Sequence, residues 1–303
     1  MTGQDIRYAY ATGRIRALEK RLLNKQAFER LIESQPLSEA ILIIQEYGLS
    51  PHLNENLATA YKILDELSLD KKVTHFFRVK YDFHNLKVAL KSKFMDLKEE
   101  CISHLGLFDF GLIKKMANRE WAENIPFDYL SLVRKVENVS LQLLNFTIDK
   151  AMVDYTLGLL EKYCFLRDYF RRYIDLKNLN FYFRLYRKSD ILKDALLDGG
   201  YINKIEFLRE VDIRKIRRYE AIINIGTEAL MKKGDSGFFE KVCDDYLLNF
   251  LKPAKYMPFG IEPLFAYVVA LEYQAKSINA ILFCKKNEIP KDIIRKHLRE
   301  SYV

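Results

Sequence analysis

Turn formers are scarce in this 303-residue sequence, with 12 glycines and 7 prolines. That leaves few places to break the chain and favours long elements. The four cysteines, Cys101, Cys164, Cys243 and Cys284, show no CxxC spacing. Neither a disulfide framework nor a structural zinc site is indicated, and a reducing compartment is expected. No apolar run reaches the roughly 20 residues that a spanning helix needs; the densest is Leu264 to Leu271, LFAYVVAL. The opening MTGQDIRYAYATGRIRALEK carries charge throughout and no apolar core before a small-residue cleavage site, so it is not read as a secretory signal. A GxxxxGK[ST] phosphate loop is also missing, which argues against nucleotide binding of the Walker type.

Hydrophobic residues make up 49% of the chain and charged residues 30%, a balance that fits a folded, helix-rich protein and not a disordered one. The net charge of +8 suggests an acidic partner: nucleic acid, an anionic lipid surface or an acidic protein face. Apolar residues recur at spacings of three and four, as in Ile15, Leu18 and Leu22 and again in Phe28, Leu31 and Ile32, while strand-like alternation is hard to find. The expected fold is all-α. Helices are expected over 4–32 with a break near Asn24, from Pro36 to Tyr47-Gly48, and over 54–67, 71–100, 109–118, 127–145, 148–188, 203–232, 236–250, 262–286 and 290–299.

One helix is used more than once. Setting Asn85, Asn178 and Asn279 in register aligns Leu86, Leu179 and Ala280, then Val88, Phe181 and Leu282, then Lys91, Arg184 and Lys285, with Phe77, Phe170 and Leu271 upstream. Asn85 precedes Gly106 by 21 residues and Asn178 precedes Gly199 by the same 21. The chain therefore reads as three related helical units, over 1–110, 111–210 and 211–303. Offsets of −7, −3 and 0 share one helix face. They give a polar stripe: Arg78, Asp82 and Asn85; Arg171, Asp175 and Asn178; Glu272, Lys276 and Asn279. Two readings stay open for it. One is a solvated face laced with ion pairs, each worth only about 0.2–0.5 kcal/mol. The other is a polar seam where repeats or partners meet.

The stretches YAYATGRIRAL (from Tyr8), YDFHNLK (from Tyr81), LDGGYI (from Leu197), EPLFAY (Glu262 to Tyr267) through Glu272, Asn279-Ala-Ile-Leu to Ile289-Pro290, and Ser301-Tyr-Val303 carry a family likeness over the whole length. The chain resembles the C subunit of the archaeal and bacterial A/V-type rotary ATPases, the counterpart of the eukaryotic V-ATPase d subunit. The resemblance implies a non-catalytic, all-helical, funnel-shaped protein of three similar domains in pseudo-threefold order. It implies a place on the cytoplasmic face of the membrane, peripheral to it, between the rotor ring and the central shaft built from the D and F subunits. There it would pass torque between ATP chemistry and proton or sodium transport. The family's Asp and Asn positions map to Asp82 and Asn85 and its closing Glu to Glu272. Lys276 departs by standing where the other two copies have Asp.

Broad standing interfaces have apolar and aromatic cores, and the chain holds 19 Tyr and 20 Phe. Tyr163, Phe165, Tyr169, Phe170 and Tyr173 lead into Phe181, Tyr182, Phe183 and Tyr186, some expected in the core and some at an interface. Arg167, Arg171, Arg172, Arg184, Arg187 and Lys188 among them fit acidic ring or shaft residues, lipid headgroups, or simply water. No catalytic, cofactor or metal site is expected. Cys101 and His104 lack a second ligand pair. His84 reads as a partly exposed helix residue. Asp244-Asp245 resembles the magnesium-binding motifs of helical prenyl-transfer enzymes but lacks a third Asp at the needed spacing. The rival reading from another class is a basic helical nucleic-acid-binding or scaffold protein. Against nucleic acid, 41 Asp and Glu are interleaved with 49 Lys and Arg, so no uniform basic stripe forms. No small-molecule substrate is expected.

Overall fold

Asn24 breaks the first expected helix in two: its side chain accepts the N–H of Ala27 at 2.9 Å and caps a new helix. The computed structural model describes residues 5–95, 101–120, 123–137, 139–185, 188–208 and 217–303, without the Ser189 side chain. Among them there is no strand, so the all-α expectation holds. In chain order the α-helices are α1 (Ala9–Glu19), α2 (Lys25–Glu33), α3 (Leu37–Glu46), α4 (Leu53–Leu67), α5 (Lys71–Lys91), α6 (Phe110–Ala117), α7 (Tyr129–Val136), α8 (Leu141–Leu159), α9 (Cys164–Leu185), α10 (Ser189–Ala195), α11 (Lys204–Leu208), α12 (Glu220–Gly226), α13 (Ser236–Leu251), α14 (Glu262–Lys286) and α15 (Lys291–His297). A π-helical segment, Thr227–Lys232, continues α12.

The chain divides into two compact units, one of residues up to Asp70 together with Arg218 to Val303, the other Lys71–Arg217. In the first, α14 is the axis. Every residue from Pro263 to Leu271 is buried, because α1, α2, α3, α4, α13 and α15 all pack on this one helix. That explains why LFAYVVAL is apolar all round although no described helix is long and apolar enough to cross a membrane. Leu264, Phe265, Val268, Val269 and Leu271 each contribute about 1.5–3 kcal/mol on burial. In the second unit, α5 packs against α6 and α8, and α7 against α8. Their core joins Phe83, Leu86 and Leu90 to Ile113, Met116, Leu132 and Ile148.

Helices α3, α6 and α14 end within two residues of where they are expected. At α3, Gly48 (φ 71°) follows the last turn, with Leu49 N–H on Ile44 O and Gly48 N–H on Gln45 O, the paired bonds of a Schellman cap. Arg119 (φ 63°) and Glu288 (φ 55°) take the same left-handed position after α6 and α14. Ser140 caps α8 through Leu143 N–H, so the expected helix over 127–145 is two helices. The expected helix over 148–188 is likewise divided between α8 and α9, by a turn at Leu160 to Tyr163 whose N–H groups bond back to Thr156, Leu157 and Leu160. Helix α5 stops at Lys91. The far end of the helix expected over 71–100 lies outside the described residues, as do Tyr186 and Arg187.

Candidate functional site

The polar stripe of α5 is inside the protein. Asp82 and Asn85 are each 1% exposed, and the face they occupy meets the irregular segment that returns after the helix, residues 103–108. A buried segment with no ladder of its own leaves peptide groups that need partners, and the stripe supplies them. Asn85 matches a peptide group donor for acceptor: its Nδ2 donates to Ser103 O at 2.8 Å and its Oδ1 accepts Ser103 N–H at 2.9 Å. Asp82 accepts the N–H groups of Leu107 and Phe108 at 2.9 and 3.0 Å. Arg78 closes the clasp by donating to Leu105 O at 3.2 Å and Gly106 O at 2.6 Å.

Helix α9 repeats the device on residues 197–202. Asn178 exchanges both bonds with Leu197 at 2.9 Å, Asp175 accepts Tyr201 and Ile202 N–H at 3.0 Å, and Arg171 donates to Gly200 O at 3.0 Å. The Arg171 guanidinium also lies 4.2 Å from the centre of the Tyr201 ring, a cation–π contact. Asp175 and Asn178 are completely buried. Gly106 corresponds to Gly200 and not to Gly199: a Cβ on either would fall 2.3 or 2.1 Å from the Oδ1 of its clasping Asp. The second copy of the loop is therefore one residue longer than alignment on Gly199 implied.

The third copy differs. Glu272 accepts the Tyr61 hydroxyl at 2.6 Å, whereas Lys276, 3.3 Å from Asp244, and Asn279 are exposed. The arrangement resembling the clasp lies one helix earlier, in α13. Asp245, 7% exposed, pairs with Lys241 four residues before it at 2.8 Å and accepts the N–H of Glu300 at 2.7 Å. Asp244 holds the Arg299 guanidinium at 2.7 Å. Both carboxylates compared above with magnesium motifs are thus engaged in attaching the segment after α15. Sequence reasoning did not place a clasp here, because α13 has Leu248 where the other copies have Asn. The signal that remained was the Lys241–Asp245 spacing.

A solvated face therefore describes Lys276 and Asn279 but not Asp82, Asn85, Asp175 or Asn178. His84 is exposed and contacts Cys101 O at 2.9 Å. Among the described residues no group of three His, Cys, Asp or Glu side chains is arranged to hold a metal. In the aromatic stretch of α9, Tyr169, Phe170 and Phe183 are core residues, while Phe165, Tyr173, Phe181 and Tyr182 are half-buried.

Burial pushes the Asp82 carboxyl up from 3.8 to about 6, against the N–H groups of Phe108 and Leu107 and the charge of Arg78, which favour the carboxylate. With the folded value above the unfolded one, the native state keeps a proton that the unfolded chain releases between about pH 4 and 6. Stability from this group is full below about pH 4 and is lost as pH rises through about 6. In urea titrations, the advantage of wild type over Asp82→Asn should shrink by about 3 kcal/mol between pH 4 and 7. A difference independent of pH would show that the carboxyl does not titrate in this range.

The model of the ATP synthase (C/AC39) subunit family matches residues 11–297. The C subunit of the V-type sodium ATPase of Enterococcus hirae is 22% identical, over 95% of this chain and 97% of the relative. The C subunit of the A-type ATP synthase of Methanosarcina acetivorans is 24% identical, over 96% and 92%. That of Methanocaldococcus jannaschii is 25% identical, over 95% and 85%.

Proposed function

Because the chain belongs to the ATP synthase (C/AC39) subunit family, we propose that it is a non-catalytic subunit of a V/A-type rotary ATPase that seats the D/F shaft on the membrane rotor ring. The observation that carries this reading is the extent of the match, 11–297, which runs through both compact units. The relatives align over nearly their full lengths as well. Among the described residues no helix is long and apolar enough to cross a membrane, so on this reading membrane attachment is peripheral and runs through the ring, with lipid headgroups a further contact at its rim. The relatives' names include both a sodium ATPase and ATP synthases, so the coupled ion and the direction of work belong to the other subunits.

A coupling must transmit force without yielding, and the clasps suit that task. Each fixes an irregular loop to a long helix through hydrogen bonds to buried charge, worth about 1.5–3 kcal/mol apiece. On this reading the exposed Lys276 and Asn279 stand where a partner would meet them. The test is isolation of the membrane complex from cells with and without the gene. The protein is expected once per complex, and its loss should leave ATP hydrolysis running without ion transport. Full ion transport per ATP in the deletion strain would refute the proposal.

A further inference from the structure

The first unit holds a small cavity that the coupling role does not use. It measures about 140 Å³, is partly open to solvent, and is lined by α1 and the turn after it, the turn after α3, α4 and α14. Arg21 is the one charged residue in its wall; Asn56, Thr59 and Tyr267 supply the polar groups, and leucine, isoleucine and alanine side chains much of the rest. Tyr267, the last residue of the stretch EPLFAY, is 5% exposed. Its hydroxyl has no hydrogen-bond partner among the described residues, and the Arg21 guanidinium has neither an ion pair nor a hydrogen bond there. Two donors that no described protein group uses, the Tyr267 phenol and the exposed Arg21 guanidinium, therefore line one small pocket.

We propose that Arg21 and Tyr267 form a binding site for a small tetrahedral oxyanion, a phosphate group, either free in solution or carried on a lipid headgroup. A guanidinium presents a planar fork of N–H donors to two phosphate oxygens. A tyrosine hydroxyl donates one more bond. Asn56 gives one amide N–H to Ser50 O at 2.7 Å and keeps a second. No carboxylate lines the cavity, so nothing in the wall repels an anion. Glu19, whose charge acts on Tyr267, is already paired with Arg16 at 2.8 Å. Burial pushes the Tyr267 phenol up to about 12, which keeps its proton available for donation at neutral pH. The volume is well below the roughly 300 Å³ at which pockets for drug-sized ligands begin, so the site selects a single group.

The test uses the full-length chain and two probes, with chloride at matched ionic strength as the control. Inorganic phosphate is titrated by calorimetry, and vesicles of phosphatidylcholine with or without phosphatidic acid are tested by sedimentation. Arg21→Gln is expected to weaken the responding probe about tenfold, as loss of a charge-assisted pair should. Tyr267→Phe, which keeps the ring, should weaken it about threefold. A response to inorganic phosphate identifies a soluble ligand, and one confined to phosphatidic acid identifies the membrane; either supports the site if both variants diminish it. The proposal is overturned if neither probe binds better than the control, or if both variants bind as wild type does. Because the readout needs no assembled ATPase, it stands or falls independently of the coupling role.

Discussion

Replacing Asp175 with alanine should lower the unfolding free energy by about 2–6 kcal/mol, since it strands two N–H groups at about 1–3 kcal/mol each. Those groups, on Tyr201 and Ile202, bond to the carboxylate at 3.0 Å, and water cannot replace it at a site with 0% exposure. Asp175→Asn keeps one acceptor and should cost roughly half as much. Global loss of stability alone would not identify the mechanism, so amide hydrogen exchange supplies the specific readout. The Tyr201 and Ile202 amides should lose protection well beyond the global change, while amides in α14, in the other compact unit, should follow it. Unchanged protection at those two amides would mean that the loop is held by something else.

Adding a methyl group at Gly106 or Gly200 should be comparably harmful for the opposite reason. The new Cβ would lie 2.3 Å from Asp82 Oδ1 in one case and 2.1 Å from Asp175 Oδ1 in the other. Those acceptors are fixed by their own hydrogen bonds, so either the loop lifts or the Asp turns away. Overpacking costs about 1–3 kcal/mol, and the broken clasp adds to it, so each Gly→Ala change is expected to cost about 3–5 kcal/mol. Gly13 in α1 and Gly158 in α8 provide the contrast. Nothing lies within 4 Å of a Cβ at either, and alanine in a helix is favoured over glycine by about 0.5–1 kcal/mol. Thermal melts of all four variants should therefore move in opposite directions. Equal losses at the four positions would leave close approach with no explanatory role.

Helical periodicity is a property of short windows, so the bounds of α4, α13 and α14 were legible in the residues to within one or two positions. The ends of α6 and α14 were legible to within one position although Arg119 and Glu288 stand where glycine is the usual signal. The α8–α9 break was hidden because the turn from Leu160 to Tyr163 contains neither proline nor glycine. The recurrence of Asp82 with Asp175 and of Asn85 with Asn178 was visible in the sequence. Their burial was not, since the partners are peptide groups 18 to 27 residues away, and peptide groups carry no signature in a one-letter string. Arg21 and Tyr267 were unreadable for a similar reason. Some 246 positions separate them, and only the folded chain makes them neighbours.

That first unit is assembled from both extremes of the sequence: helices α1 to α4 close around α14, and everything from Lys71 to Arg217 is made in between. On a ribosome adding roughly 5–20 residues per second, the leading helices must therefore wait on the order of 10–40 s for their axis. During that interval their apolar faces have no permanent cover, while the contiguous Lys71–Arg217 unit can already close on itself. Manufacture, more than the finished article, is then the vulnerable stage. Newly made protein should be most prone to aggregation, and most in need of a holdase, before residue 286 has left the exit tunnel.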